Sequence, residues 1–421
     1  MTIDPQTAGR GAAASQAGVA VAARGPTAIA DRALGPDLAR GTMLLLIALA
    51  NSHYFLQGAP YFGGFPQDGG PLDQVVTWLI STFVDGRAYP MFALLFGYGV
   101  ARIVARQTGT PKQVRHLLWR RSGVLFAVGF VHAMVLFVGD ILAAYGVLLF
   151  VGAWAVRWKD RSLLIVAAIF FVVCALPSED SLAIGTTAPD ASVLSPDLWT
   201  QFAERITVQP WIAFLGPVGL ACPFLVGIWA GRRRVIEQPE LHRRLLAATA
   251  VFGIGAAVIG AQPVALAAAQ LVSAPSDAAL TYLGPLHDAT GVLGGFGYAA
   301  LIALVSLRIA RPLSPLPRAI AATGQRSMTC YLSQSIVWFV VFTPYVLGLA
   351  DDLSVTATAL LAAGTWATTV VMADRMRAAG ERGPFERLTR RVTYGRAAQP
   401  LPSSASSRER RRSRPARIIR P

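Results

Sequence analysis

Two polar side chains near the end of a long apolar segment could carry acid–base chemistry. His132 precedes Gly139 and Asp140 in the string GFVHAMVLFVGD (129–140), where core packing gives no reason for an imidazole. A neutral imidazole can take a proton from a hydroxyl or amine, and a carboxylate can fix its tautomer. On a straight helix Asp140 would lie about 12 Å beyond His132 and about 80° round the axis, so a bent helix end, a water or a substrate must link them. We predict both as catalytic residues; the structural alternative is a polar turn with an interhelical hydrogen bond.

Further ionisable residues are expected near the outer surface, at a depth comparable with His132. Such groups are costly in lipid, so each is a candidate for function. A polar cavity that opens outward would explain their concentration, and loop residues in water would explain part of it. These residues are His53, Asp85, Arg87, His287 and Asp288.

A second group of polar residues is expected at the opposite, cytoplasmic end. Arg40 opens the first apolar segment and could anchor it to lipid phosphates or contact a ligand. Gln325 and Arg326 offer donors at the cytoplasmic mouth, and Tyr331 and Gln334 share a face of the following helix. Interhelical hydrogen bonding is the commoner role of such residues in membrane helices.

The cysteines and glycine strings do not indicate a cofactor site. Cys174, Cys222 and Cys330 lie in apolar stretches without metal-ligand spacing, so neither a disulfide framework nor a zinc site is predicted. The glycines around 291–297 and at 97 and 99 lie within apolar segments and match no nucleotide-binding pattern. They indicate close helix packing. No bound cofactor and no metal are therefore expected.

The elements that position these residues must be membrane helices, because the chain is too apolar for an ordinary soluble protein. Of its 421 residues 54% are hydrophobic and 14% charged, and the mean hydropathy is +0.48. Ten apolar segments approach the length of about 20 residues that spans a bilayer. A shorter segment, 73–84, suits an interfacial or re-entrant helix. The ten segments are 41–57, 88–106, 119–138, 141–157, 162–177, 211–230, 245–270, 289–309, 329–349 and 355–373.

The positive charge predicts the orientation of these segments. The net charge is +15, and with both ends in the cytoplasm all of the 38 Lys and Arg residues except Arg87 and Arg205 fall on the cytoplasmic side. Positive charge concentrates there in membrane proteins. We predict an all-α polytopic membrane helix bundle of about ten transmembrane helices, N-in and C-in. The charge therefore gives no reason to expect a nucleic-acid partner.

The segments outside the apolar spans divide the chain into three parts. Residues 1–35 are predicted to be a disordered cytoplasmic lead, and residues 36–395 a single polytopic membrane domain with an outer loop at about 178–209. An amphipathic helix at about 384–394 is expected on the inner leaflet. Residues 396–421 should be a disordered basic cytoplasmic tail that attracts anionic lipids.

Five strings in order along the chain resemble the signatures of the YeiB-like family of bacterial multi-pass membrane proteins, whose activity is uncharacterised. The chain is more distantly similar to membrane acyltransferases of the heparan-alpha-glucosaminide N-acetyltransferase type. The resemblance implies a multi-pass protein of the bacterial plasma membrane. The strings are LARGTMLLLIALAN (38–51), FALLFGYGVA (92–101), GFVHAMVLFVGDILAAYGV (129–147), TGQRSMTCYLSQS (323–335) and GPFERLTRRVTYG (383–395).

One position departs from the acyltransferase pattern. Those enzymes carry an arginine in the first span and a histidine eleven positions later; Arg40 matches the arginine, but the eleventh position is Asn51. His53 comes two residues later, which turns it about 200° away from the expected direction. His132 is therefore the better candidate for a catalytic base.

Three functions fit these features. The first is transfer of an acyl group, such as acetyl, from cytoplasmic acyl-CoA to a membrane or extracytoplasmic acceptor, with arginines pairing the phosphates. The second is transport of a small molecule along a polar path through His53, His132, Asp140 and Asp288. The third is a membrane scaffold or immunity protein, in which replacing His132 would be harmless. The predicted binding residues are Arg40, Asn51, His53, Arg120, Arg121, Gln325, Arg326, Tyr331 and Gln334.

Overall fold

The structure, a computed structural model, describes residues 33–309 and 312–394. Apart from two antiparallel two-residue strands, β1 (Tyr61–Phe62) and β2 (Phe65–Pro66), the regular elements of this part of the chain are helical, which confirms the all-α prediction. The predictions for residues 1–32 and 395–421 lie outside the described residues. The helices are α1 (Leu34–Ser52), α2 (Pro71–Phe83), α3 (Ala88–Val104), α4 (Pro111–Val135), α5 (Leu142–Ala155), α6 (Asp160–Ala175), α7 (Leu198–Arg232), α8 (Arg243–Ala268), α9 (Asp277–Ser306), α10 (Pro315–Gln325), α11 (Ser327–Phe342), α12 (Val355–Ala378) and α13 (Pro384–Tyr394).

Within the described residues, four helices are long and apolar enough to cross a membrane. They are α7, α8 together with the turn that precedes it, α9 and α12. Large apolar side chains of α8 face outward, and Phe252 is 76% exposed and Ile259 75%. Helices α5 and α11 are apolar but have 14 and 16 residues, so they extend only about 21 and 24 Å. The protein is thus helical and membrane-like, while ten spans and the N-in, C-in orientation stay predictions.

Helix α7 begins inside the segment 178–209 that was predicted as an outer loop. The carboxylate of Asp197 accepts hydrogen bonds from the backbone nitrogens of Trp199 (2.9 Å) and Thr200 (3.0 Å), which caps the helix at its first turn. The first turns of α7 contain polar residues, so a search for apolar runs does not detect the start of this helix. The loop between α6 and α7 therefore ends at Asp197.

Glycines allow the helices beside the candidate site to touch backbone to backbone. A Cβ on Gly227 of α7 would collide with the carbonyl oxygen of Leu94 on α3, and one on Gly97 would collide with that of Phe224. The same holds between α1 and α10, where a Cβ on Gly324 would collide with the carbonyl of Asp37. Side chains larger than hydrogen do not fit at such contacts. The glycines act in packing, as the sequence indicated.

Candidate functional site

The structure brings His132 and Asp140 together at the end of α4. The helix ends at Val135, and the chain turns back so that the carboxylate Oδ1 of Asp140 lies 2.8 Å from Nδ1 of His132. Asp140 is fully buried and His132 is 4% exposed. The sequence allowed a bent helix end, a water or a substrate as the link between the two residues. The structure shows the first of these, because the chain turns back after α4 and the two side chains touch directly.

Four donors surround the carboxylate of Asp140. Its Oδ2 accepts from the backbone nitrogens of Leu142 (2.8 Å) and Ala143 (3.1 Å) at the start of α5. Its Oδ1 accepts from the hydroxyl of Tyr331 (3.3 Å) as well as from His132. A ring nitrogen that faces a carboxylate carries the hydrogen, so in the neutral form of His132 Nδ1 is the donor and Nε2 keeps the lone pair. Within the described residues Nε2 is buried without a hydrogen-bond partner, as a proton acceptor would be.

A cavity of about 630 Å³ opens at the end of the molecule predicted to be cytoplasmic. We call it the arginine cavity, because eight arginines and only three carboxylates line it. Its walls come from α1, α3, α4, α5, α10, α11 and α13 and from the segments beside them. The arginines are Arg40, Arg102, Arg106, Arg121, Arg234, Arg326, Arg382 and Arg390, and the carboxylates are Asp37, Glu237 and Glu386.

The three carboxylates satisfy only part of this positive charge. Glu237 accepts from Arg102 (2.9 Å) and Arg234 (3.0 Å), and Asp37 lies 3.7 Å from Arg40. Across the described part of the chain, four other arginines of the cavity lie beyond ion-pair distance of every carboxylate. These are Arg106, Arg121, Arg326 and Arg382. An excess of guanidinium groups over carboxylates in a cleft favours an anionic ligand.

Glu386 is occupied by the start of α11. It accepts from the backbone nitrogens of Met328 (2.9 Å) and Thr329 (3.1 Å) and from the hydroxyl of Thr329 (2.5 Å). This contact holds α13 across the cavity, where Tyr394 of the same helix also lines the wall. Burial raises the pKa of the Tyr394 hydroxyl, which therefore stays a neutral donor at neutral pH.

The inner end of the arginine cavity is apolar and aromatic. The ring of Tyr145 lies 4.8 Å from that of Phe92 and 5.0 Å from that of Phe96, measured between centroids. Tyr331 also lines this end and is the residue that donates to Asp140. The ring centroids of Tyr331 and His132 are 5.4 Å apart, and His132 does not line the cavity. Tyr331 therefore stands between the cavity and the catalytic candidates.

Five of the predicted binding residues line the arginine cavity, and four do not. His53 belongs to another cluster, Arg120 is exposed, and Gln334 donates to the carbonyl of Leu44 (3.3 Å). Asn51 lies on α1 away from the cavity lining. The residues that the cavity brings together are Arg40, Arg121, Gln325, Arg326 and Tyr331.

The outer polar residues form a separate group, which we call the outer cluster. His53 contacts Asp85 through Nε2 (3.2 Å), and the fully buried Arg87 donates to the carbonyl of Ala257 (2.7 Å). His287 lies 3.0 Å from Arg87. Asp288 accepts from Ser181 (2.6 Å). Among the described residues no hydrogen bond joins this cluster to His132, so the three histidines divide between two sites.

Sequence reasoning missed most of the cavity's charged residues. These residues lie just before or after apolar segments. The count of positive charge assigned them to one side of the membrane but could not show which of them line a cavity. The spacing of Arg102 and Arg106, four apart at the end of α3, was the available signal. The other missed lining residues are Arg234, Glu237, Arg382, Glu386, Arg390 and Tyr394.

Comparison with known proteins gives relatives without an assigned activity. The family described as "Protein of unknown function (DUF418)" matches residues 230–396, which include α8–α13 and the part of the cavity that they form. The uncharacterized protein YxaH of Bacillus subtilis (strain 168) is 25% identical over 408 residues, covering 88% of this chain and 96% of that protein. The chain resembles uncharacterised proteins. Neither description names an acyltransferase.

Proposed function

We propose that the protein is a membrane acyltransferase that binds acyl-CoA in the arginine cavity. One observation carries the proposal: a cavity with more arginines than carboxylates has an aromatic part at Tyr331, and Tyr331 donates to the carboxylate that holds His132. An acyl-CoA has the matching polarity, with phosphates at one end and a thioester at the other. The cavity volume of about 630 Å³ lies in the usual range for ligand sites.

The arginines without carboxylate partners are the proposed phosphate ligands. Arg106, Arg121 and Arg382 can offer paired N–H groups to phosphate oxygens, which is the favoured geometry for this anion. Arg326 already donates to the carbonyls of Ala322 and Glu381, so it contributes its positive charge. The aromatic end would hold the less polar arm that carries the thioester.

In the proposed reaction His132 is the general base. Its Nε2 takes the proton of an acceptor hydroxyl while that oxygen attacks the thioester carbonyl. The carbon–sulfur bond breaks, the new ester forms, and the leaving thiolate takes the proton back from the imidazolium to give CoA. Asp140 holds the tautomer and stabilises the imidazolium. Since Tyr331 stands between the cavity and His132, its side chain must move for the thioester to arrive.

Purified protein with labelled acetyl-CoA and membrane lipids or glycans as acceptors tests the proposal. Replacing Arg106 and Arg382 together by Gln should weaken acetyl-CoA binding about tenfold or more, because two charge-assisted contacts are lost. The control is Arg120→Gln, an exposed arginine outside the cavity. His132→Ala should abolish transfer and leave binding intact. Labelled product from both wild type and His132→Ala, or from neither, would overturn the assignment.

Transport of an anion is a second candidate, favoured by the outer cluster. The acyl-transfer proposal leaves these buried ionisable residues without a role, whereas a polar path between the two ends would use them. Proteoliposomes loaded with labelled CoA distinguish the candidates. Movement of unmodified label that depends on Arg87 and His53 supports transport, and a covalent product supports acyl transfer.

A further inference from the structure

Helix α13 lies across the arginine cavity with one face turned inward. Its cavity-lining residues recur at intervals of three or four, which places them on one side of the helix. We call this side the inner face. The helix packs on α4 and α11, so the inner face forms part of the cavity wall. The lining residues of this face are Glu386, Thr389, Arg390 and Tyr394.

One carboxylate fastens the inner face to the bundle. Glu386 accepts hydrogen bonds from the backbone nitrogens of Met328 and Thr329 at the start of α11, and from the hydroxyl of Thr329. The same hydroxyl accepts a longer hydrogen bond from the backbone nitrogen of Phe385 (3.4 Å). These contacts lie at the first turn of α13, where a carboxylate meets the backbone nitrogens that begin another helix. They act as a latch between α13 and α11.

The segment that joins α12 to α13 has the form of a hinge. Gly380 has a φ of 69°, which glycine adopts without strain. A Cβ on Gly383 would collide with the carboxylate of Glu386, so the latch also requires glycine at this position. Arg326 of the cavity donates to the carbonyl of Glu381, which holds one end of the segment in place. A rotation at this hinge would move α13 without disturbing α12.

The opposite side of α13, which we call the outer face, combines exposed apolar side chains with exposed arginines. Leu388 and Val392 are each 42% exposed, and Arg387 and Arg391 are exposed beside them. In the part of the chain that the structure describes, no carboxylate lies within ion-pair distance of either arginine. Such a face fits a bilayer surface, because its apolar side chains enter the headgroup boundary while its arginines meet anionic phosphates.

We propose that α13 is a lid on the arginine cavity and that anionic lipid headgroups bound to its outer face hold it closed. Opening breaks the hydrogen bonds of Glu386 and lifts Arg387 and Arg391 from the headgroups, so the latch and the membrane act in the same direction. The charge of the adjoining leaflet then controls how widely the cavity opens. The lid does not rest on acyl transfer, because any ligand of the cavity would have to pass it.

A cysteine on the inner face measures the position of the lid. Thr389 is 3% exposed and contacts Met328, so a maleimide can modify Thr389→Cys only when α13 moves away. The full-length variant is placed in nanodiscs of phosphatidylcholine, with or without phosphatidylglycerol, and mass spectrometry follows labelling at position 389. Phosphatidylglycerol should slow the labelling about tenfold, because two arginines gain attraction to the surface. Equal rates in the two lipids would overturn the membrane contact.

Two paired substitutions separate the arginines of the outer face from the rest of the positive charge. Arg387→Gln together with Arg391→Gln should make the two lipids equivalent. Arg243→Gln together with Arg244→Gln removes the same charge from exposed positions at the start of α8, outside the cavity, and should keep the difference. A difference that survives the first pair would overturn the outer face as the lipid contact. Rates that depend on whether a nanodisc holds one or two copies, and not on lipid, would assign this face to a second copy and overturn the proposal.

The latch is tested in the same Thr389→Cys background. Glu386→Gln should speed the labelling about tenfold in both lipids, because the charge that strengthens its hydrogen bonds is lost. Glu381→Gln changes an exposed carboxylate of the hinge segment and should leave the rate unchanged. A rate that Glu386→Gln does not alter would overturn the latch. None of these measurements uses acyl-CoA, so the lid and the proposed reaction can fail independently.

Discussion

Asp140 is the residue on which the candidate site depends most. A single buried carboxylate holds the imidazole of His132, the hydroxyl of Tyr331 and the first turn of α5. The sequence pointed to His132 and Asp140 because an imidazole and a carboxylate are expensive in an apolar segment. Their direct contact could not be derived, since it depends on where α4 ends. Tyr331 comes from a distant part of the chain, and only the packing of α11 brings it to Asp140.

Asp140→Asn should lower the free energy of unfolding by about 3 kcal/mol, because the amide turns one acceptor into a donor among four donors. Thermal unfolding of the purified protein in detergent measures the change. Asp374→Asn is the control: that carboxylate is 30% exposed and pairs with Arg377 on the same helix, so little change is expected. Equal stability of wild type and Asp140→Asn would show that the four contacts do not hold the site.

Gln209 and Gln201 should respond in opposite directions to the same substitution. Gln209→Leu removes an unpaired buried amide and should raise the free energy of unfolding by about 1 kcal/mol. Gln201→Leu removes one of the two donors to the carbonyl of Met134 and leaves the hydroxyl of Tyr345 without its acceptor, and should lower the free energy of unfolding by about 1–2 kcal/mol. Parallel melting curves test the pair. Destabilisation by both substitutions would mean that Gln209 already has a partner in the folded protein.

At the scale of helices, the cavity depends on backbone contacts that fix its walls. Helix α3 and the turn after it contribute Arg102 and Arg106, and α3 is held against α7 by the paired glycine contacts. Helix α13 is held through the side chain of Glu386. Apolar runs predicted most of the helices. They failed at the start of α7, because the N-terminal part of this helix buries the polar residues Gln201 and Arg205 and exposes apolar ones.

Gly227→Ala and Gly219→Ala form a matched pair on α7. The added methyl at Gly227 collides with the carbonyl of Leu94, and this overpacking should cost about 2 kcal/mol. The methyl at Gly219 meets no atom within 4 Å, so the better helix propensity of alanine should stabilise the protein by up to about 1 kcal/mol. Unfolding temperatures measure both effects. A neutral Gly227→Ala would show that α3 and α7 can separate, and the cavity wall would then be mobile.

At the scale of the whole molecule, the uneven distribution of charge gives the protein two different ends. Arginines collect around the cavity, while the outer cluster buries its ionisable groups in pairs. The sequence predicted this asymmetry from counts of Lys and Arg alone. It could not predict the cavity, because a count assigns residues to a side of the membrane and the packing of helices decides which of them converge.

Cysteine labelling of intact cells tests the predicted orientation. Asp190→Cys lies between α6 and α7 and Glu381→Cys between α12 and α13, on opposite predicted sides. A membrane-impermeant maleimide should label position 190 in intact cells and position 381 only after lysis, with wild type as the background. Labelling of 381 alone would reverse the orientation. Labelling of both positions would rule out the predicted number of crossings between them.

The inward-facing polar residues of α7 also constrain how the protein is made. An arginine in a membrane helix is costly when the helix enters the bilayer alone, unless a neighbouring helix supplies acceptors. Arg205 donates to the carbonyl of Ala133, and Gln201 donates to that of Met134. Both acceptors belong to α4, which leaves the ribosome before α7 does. During biosynthesis α4 is therefore in place as a docking partner when α7 emerges. Assembly of the N-terminal half of α7 is in this sense templated by α4.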